Sequence, residues 1–288
     1  MATPIAAPGP SEPVAAAEAA PVAASNAEGA EGGPDVAAGG EAAPATQARS
    51  AAPTADFGAP APYPIRRLAA VYDLFYNGEA PEAPVGRVTH VWSTDGERYV
   101  AESVAEGVGL VSLLYGGKFA QRSEGRIGAE GLVPDRYTLR RGGAAISDEA
   151  RFDWEMATAA LASKGETRTV AIARGAQDPL SALHQFYFIQ PLAASGRFSV
   201  ADGRRLRTFW YEVVGEELIE TALGVVNALH MRRADGDNAS AEVWVDPRRS
   251  YLPVKILATD RKGRVIAQHI RSLEVEPVAT AAVAGAGR

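Results

Sequence analysis

Ser181 and His184 stand three residues apart, with Asp178 three residues earlier, in the stretch Asp178-Pro179-Leu180-Ser181-Ala182-Leu183-His184-Gln185-Phe186-Tyr187-Phe188-Ile189. A carboxylate, a hydroxyl and an imidazole are the groups of a nucleophile, its base and the acid that orients the base. The local sequence points to another use. Asp178 followed by Pro179 starts a helix: the carboxylate accepts from the free N–H groups of the first turn, and proline suits the first helical position. A serine inside a helix also lacks the strained elbow that lifts a nucleophilic hydroxyl clear of the backbone. No catalytic residue is assigned.

Other chemistry is no better placed. His90, His184, His230 and His269 belong to no HxH or HExxH pattern, so no metal site is assigned. Glu216 and Glu217 would point to opposite faces of a strand and cannot work as an acid–base pair. Gly107-x-Gly109 and Gly116-Gly117 lack the strand–loop–helix setting and the lysine of a phosphate cradle, so they read as turns and no cofactor is expected. Five arginine pairs, among them Arg204-Arg205 and Arg232-Arg233, read as strand-end protection rather than a lipid-headgroup surface. The aromatic run Phe209-Trp210-Tyr211 suits either a core stripe or the lining of an apolar pocket.

The 178–189 stretch reads as the one helix of the chain. At about 100° per residue, Leu180, Ala182, Leu183, Phe186, Tyr187 and Ile189 fill about half its circumference. Ser181, His184 and Gln185 share the other half with Phe188. The apolar arc should face a sheet, leaving Ser181, His184 and Gln185 as a polar rim toward solvent or a pocket mouth. Leu183, Tyr187, Trp210 and Trp244 are the candidate ligand-binding residues.

What positions that helix is β text. From Tyr63 onward, β-branched and aromatic runs alternate with Gly- and Asp-bearing turns. Strands are expected at 68–76, 85–93, 98–104, 119–127, 133–140, 151–154, 160–163, 167–173, 196–200, 204–214, 217–221, 225–233, 241–245, 251–259 and 264–272. The run 110–115 stays open between strand and helical turn. Asp95-Gly96, Lys164-Gly165, Asp202-Gly203, 235–238 and 260–263 supply hairpin turns. The βαβ alternation of a parallel sheet is missing. The expected fold is mainly β: a curved antiparallel sheet or partly open barrel of about a dozen strands, with one packed helix.

Residues 1–62 differ in kind. Ten of the nineteen prolines lie there, among Ala, Gly and Glu, and so little apolar bulk cannot offset backbone entropy. They read as a disordered Ala/Pro/Glu-rich spacer, 63–276 as the β domain and 277–288 as a flexible tail. Seven of the 35 acids and one of the 29 bases fall in the spacer, so the remaining 28 of each leave the domain formally neutral. A neutral domain on an acidic spacer gives no footprint for nucleic acid. The absence of cysteine removes thiol chemistry, disulfides and thiolate metal sites. No export signal is read at the start, and no run approaches the roughly 18 apolar residues of a membrane span.

Several short patterns then carry a resemblance. Gln121-x-Ser123-Glu124-Gly125-x-Ile127, Gly131-Leu132-x-Pro134-x-Arg136-Tyr137, Phe152-Asp153-Trp154, Gln177-Asp178-x-Leu180-Ser181, Glu242-Val243-Trp244-Val245 and Tyr251-Leu252-Pro253-Val254-Lys255-Ile256 occur in order. Together, over about residues 69–274, they resemble the bacterial family catalogued as domain of unknown function 3108. That resemblance implies a Gram-negative envelope protein, periplasmic or envelope-associated, with no established activity. The closing hairpin, with Asp246-Pro247 and Asp260-x-x-Gly263, is similar to that of periplasmic lipoprotein carriers, in which a curved sheet covered by helix holds acyl chains. The partner classes this leaves are a lipid or apolar small molecule and an envelope protein. The expected role is a non-enzymatic binding module, with a structural or assembly protein and a hydrolase using His184 as alternatives.

Overall fold

The computed structural model describes residues 63–77, 83–107, 118–143, 145–189, 195–233, 240–259 and 263–278. The spacer at 1–62, the run 110–115, Gly109, Gly116, Gly117, the 235–238 turn, most of the 260–263 turn and nearly all of the 277–288 tail lie outside the described residues.

The described chain is one antiparallel sheet of fourteen strands. Eight come from the first half: β1 (Ile65–Tyr76), β2 (Gly86–Thr94), β3 (Arg98–Gly107), β4 (Phe119–Gly128), β5 (Gly131–Arg141), β6 (Ile146–Asp153), β7 (Thr158–Ser163) and β8 (Glu166–Ala171). A short helix, α1 (Ser181–Gln185), follows. Six more complete the sheet: β9 (Ser195–Ala201), β10 (Leu206–Thr221), β11 (Gly224–Arg233), β12 (Ser240–Asp246), β13 (Leu252–Thr259) and β14 (Val265–Pro277). Sequential hairpins build each half, and β1 pairs with β14 at the seam, so β8 and β9 are the two edges.

Local sequence explains the hairpins. At the β2–β3 turn, Asp95 Oδ1 accepts from the N–H groups of Glu97 (2.9 Å) and Arg98 (2.8 Å), and Gly96 takes φ +102°. Lys164 and Gly165 both take positive φ, as the tight β7–β8 turn demands. Two expectations change. The strands drawn at 204–214 and 217–221 are one 16-residue strand, β10, because a bulge at Gly215 (φ +147°) bends the chain without ending its pairing to β11. Trp154 leaves the strand it was assigned to and opens a turn closed by Ala157 at φ +50°.

The sheet curves without closing by a ladder. Its ends are instead latched by side chains. Arg168 of β8 donates to the Arg204 carbonyl (2.6 Å), and Arg204 Nε reaches Asp148 Oδ1 of β6 at 3.2 Å. Gly203 lies so close to β6 that an added Cβ would stand 2.6 Å from the Glu149 nitrogen. Asp148 is buried, and it also accepts from Arg141 and Ser163. The connection from β8 to β9 carries α1 into the curve. It also adds a bridge to the β9 edge, where Gln177 N donates to Ser199 O (2.7 Å) and Ala201 N to Gln177 O (2.9 Å).

Two apolar clusters result. The larger joins Leu68, Trp92, Tyr99, Tyr137 and Leu161 of the first half to Leu180 and Phe188 beside the helix. The smaller joins Leu183 and Phe186 to Met231, Val243, Val245 and Ile256 of the second half. The helix sits between them.

Candidate binding site

The helix is shorter than its pattern. Only Ser181–Gln185 is regular; tight i→i+3 bonds, Leu183 N to Leu180 O (3.1 Å) and Phe188 N to Gln185 O (2.9 Å), extend the coil at either end. Asp178 nonetheless starts it. Its Oδ1 accepts from Leu180 N (2.8 Å) and Ser181 N (3.0 Å), while Ser181 Oγ accepts from Asp178 N (2.8 Å), a reciprocal capping arrangement.

The polar stripe, expected to face solvent or a pocket mouth, is buried: Ser181, His184 and Gln185 are 0%, 7% and 5% exposed. The reason is a second set of partners, on the first half of the sheet. Ser123 Oγ of β4 donates to Asp178 Oδ2 (2.5 Å) and is bonded in turn to Tyr99 OH (3.1 Å). Gln185 uses both ends of its amide on the β4–β5 turn, accepting from Leu132 N (2.9 Å) and donating to Glu130 O (3.0 Å). Gln177 Nε2 donates to Leu132 O at 2.9 Å. A Cβ on Gly131, whose φ is +108°, would meet the Gln185 amide at 2.5 Å, so only glycine lets the helix seat there. His184 Nδ1 lies 3.2 Å from Tyr63 OH, and its ring sits 4.5 Å from that of Trp92.

These bonds decide the chemistry. Ser181 is bonded to the Asp178 main chain, and Asp178 to Ser123 and the first turn. His184 faces Tyr63, so the three do not line up as a nucleophile–base–acid relay. Burial raises the Asp178 carboxyl, against the Ser123 and backbone hydrogen bonds, to about 6. Burial, with His90 nearby, lowers His184 to about 3, so the ring is neutral at physiological pH. Among the described residues no group of three or more His, Asp or Glu side chains is arranged to hold a metal ion.

On its other side the helix meets β9–β12 through apolar contacts, and an apolar groove of about 90 Å³ opens there. Ala182, Leu183 and Phe186 form the helix wall; Phe198, Met231 and Val243 form the sheet wall. Phe209, Trp210, Arg232, Arg233 and Glu242 also border it. Of the four ligand-binding candidates, Leu183 lines this groove, whereas Trp210 only borders it, its side chain alternating to the face opposite Phe209 and Tyr211 and 52% exposed. Tyr187 lies apart, edge-on to Tyr63 at 5.0 Å. Trp244 follows groove-lining Val243 in β12 and so faces away from the groove; it stacks on His230 at 4.1 Å and donates to Glu217 at 2.7 Å. Sequence reading passed over Phe198, Met231 and Val243, although the alternation of β12 put Val243 opposite Trp244 from the start.

An open antiparallel barrel with a helix pinned in its curve is the class of architecture, and the sequence places it further. A profile of the family described as "Protein of unknown function (DUF3108)" matches residues 71–268, and the chain belongs to that family. Among solved structures, it is similar to a beta-barrel-like protein of domain of unknown function DUF1849 from Brucella abortus, at 12% identity over 74% of this chain and 99% of that one, TM-score 0.49. A putative lipoprotein from Parabacteroides distasonis aligns at 8% identity over 73% of this chain and 95% of that one, TM-score 0.29. A putative outer membrane lipoprotein-sorting protein domain from Vibrio parahaemolyticus aligns at 9% over 73% and 86%, TM-score 0.25. No curated protein matches the chain.

Proposed function

We propose that this chain is a non-enzymatic binding domain of the cell envelope that holds an apolar or acyl group between its helix and the second half of its sheet. The observation that carries the reading is the asymmetry around α1. Hydrogen bonds tie one side to β4 and β5, while the other side leaves an apolar groove against β9–β12. Buried apolar side chains ordinarily pack at crystal density, so an unfilled apolar seam beside a fixed helix is a place for a ligand. The envelope setting rests on the sequence resemblance of the family.

The groove's size adds a mechanical consequence. At about 90 Å³ it is smaller than the cavity of about 150 Å³ that holds a benzene ring, so an acyl chain enters only if a wall moves. The helix wall is pinned; the sheet wall includes Met231, whose flexible thioether repacks at little cost. Ligand entry therefore displaces β9–β11 and leaves α1 in place. Native mass spectrometry of the full chain, purified without detergent and offered 1-decanol, tests the reading. A one-to-one adduct is expected in the parent chain and is lost in Ala182→Trp, which fills the groove from the helix side. A parent chain that stays empty, or a tryptophan variant that binds as well, overturns it.

A further inference from the structure

We infer that β9 and the first half of β10 form a flap that must lift to admit a ligand, and that the Asp148 latch governs how readily it does so; this rests on the apolar-ligand reading above. Strand pairing defines the flap. Among the described residues, 206–210 of β10 pair with β9 alone, because β11 takes up β10 only from Tyr211 onward. β9 is itself an edge of the sheet. Residues 195–210 are thus a two-stranded arm, and two strands alone have little stability of their own. The arm lays Phe198, Val200 and Phe209 along the groove, where the Phe198 ring meets that of Phe186 edge-on at 5.7 Å.

Two fastenings hold the arm down. Along its edge, Gln177 makes the backbone bonds to Ser199 and Ala201. At its tip, Arg204 Nε reaches Asp148 Oδ1 at 3.2 Å, and Arg168 of β8 donates to the Arg204 carbonyl at 2.6 Å. The tip can come away as a unit. Asp202 Oδ1 accepts from the N–H groups of Arg204 and Arg205, both at 2.9 Å, and Gly203 takes φ +86°, so the turn carries its own shape. On the other side of the latch, Asp148 keeps Arg141 and Ser163. Release therefore strands no buried carboxylate, and the partly exposed Arg204 is taken up by water. Exchanging one such bond for water costs far less than orphaning a buried charge, which makes the latch reversible. The closed groove, at about 90 Å³, is smaller than a bound ring requires. The arm accordingly stays lifted while a chain is bound, and the latch works against the ligand.

The chain has no cysteine, so spin labels can be attached at chosen positions. The full chain carrying Thr167→Cys on β8 and Thr208→Cys on β10, both exposed positions, is measured by pulsed electron paramagnetic resonance with and without 1-decanol. The distance between labels should lengthen by about 5 Å, one strand spacing, when the alcohol binds. In parallel, Arg204→Gln should bind 1-decanol about tenfold more tightly than the parent chain, since losing one charge-assisted hydrogen bond raises the open fraction by that factor. Alcohol that binds without changing the distance overturns the flap. Affinity in Arg204→Gln equal to or below the parent's overturns the role of the latch, and it is the result a merely structural arginine would give. A chain that binds no alcohol removes the groove reading and this inference with it. The distance measurement leaves the latch intact, so a misfolded Arg204→Gln does not blunt the test.

Discussion

At the scale of single residues, three buried ionisable groups set how the domain answers to pH. His184 titrates near 3 and His90 near 4, both lowered first by burial, against ordinary values of 6.5. Between those values the unfolded chain binds the protons that the folded chain refuses, so stability present above pH 6.5 is lost as pH falls. Asp178 acts in the other sense. Raised by burial to about 6 from 3.8, it takes up a proton on folding in that window, and its contribution grows as pH falls through 6. From pH 6 to 4.5 the two histidines outweigh the one acid by about one proton, and denaturant titrations should show stability falling by about 1.4 kcal/mol per pH unit. Asp178→Asn removes the opposing group and should about double that slope; an unchanged slope would show that Asp178 does not titrate there. Asp148 belongs to a lower range. Burial pushes its carboxyl up, but the Ser163 hydroxyl and the Arg141 and Arg204 guanidiniums hold it below 3.8. The stability it supplies is therefore full above that value and lost as pH falls through its lowered pKa.

At the scale of elements, the helix shows what the sequence could and could not disclose. Asp178 and Pro179 announced its start, and the apolar arc through Leu183 and Phe186 found its wall against the second half of the sheet. The polar stripe misled, because periodicity reports only that Ser181, His184 and Gln185 lie opposite the arc. It cannot report that Leu132 N of β5 bonds Gln185, that Tyr63 covers His184, or that Ser123 of β4 holds the Asp178 carboxylate that caps Ser181. The signal was present in another form: Ser123, Gly131-Leu132 and Gln177-Asp178, which lie in the patterns that carried the family resemblance, are the residues that meet around the helix. Gly131→Ala tests it. The added methyl strains a positive φ and strikes the Gln185 amide, and a loss of about 2–4 kcal/mol is expected by chemical denaturation. A near-neutral result would mean the helix is not held there.

For the whole molecule, curvature without closure is the organising feature. Hairpin spacing revealed a large antiparallel sheet, but not that β1 and β14 meet at its centre, which depends on pairing between residues about 200 positions apart. Nor did it reveal the latch. Asp148→Ala leaves Arg141 and Arg204 facing a vacancy and frees the β9–β10 turn from β6. It should cost about 2–4 kcal/mol, with early hydrogen exchange concentrated in β9 and β10. β9 also carries Phe198 and β10 carries Phe209 and Tyr211 of the groove lining, so the latch and the candidate site share these two strands.

The central claim is that an apolar ligand lies between α1 and β9–β12. Photolabelling the full chain with a ten-carbon alcohol bearing a terminal diazirine, followed by peptide mapping, tests it most directly. Adducts on the peptides holding Leu183 and Phe186 and on that holding Met231 are predicted, and excess 1-decanol should suppress them. Labelling confined to exposed apolar residues such as Leu218 and Val225 at the far end of the β10–β11 hairpin, or labelling that decanol does not suppress, would contradict the account.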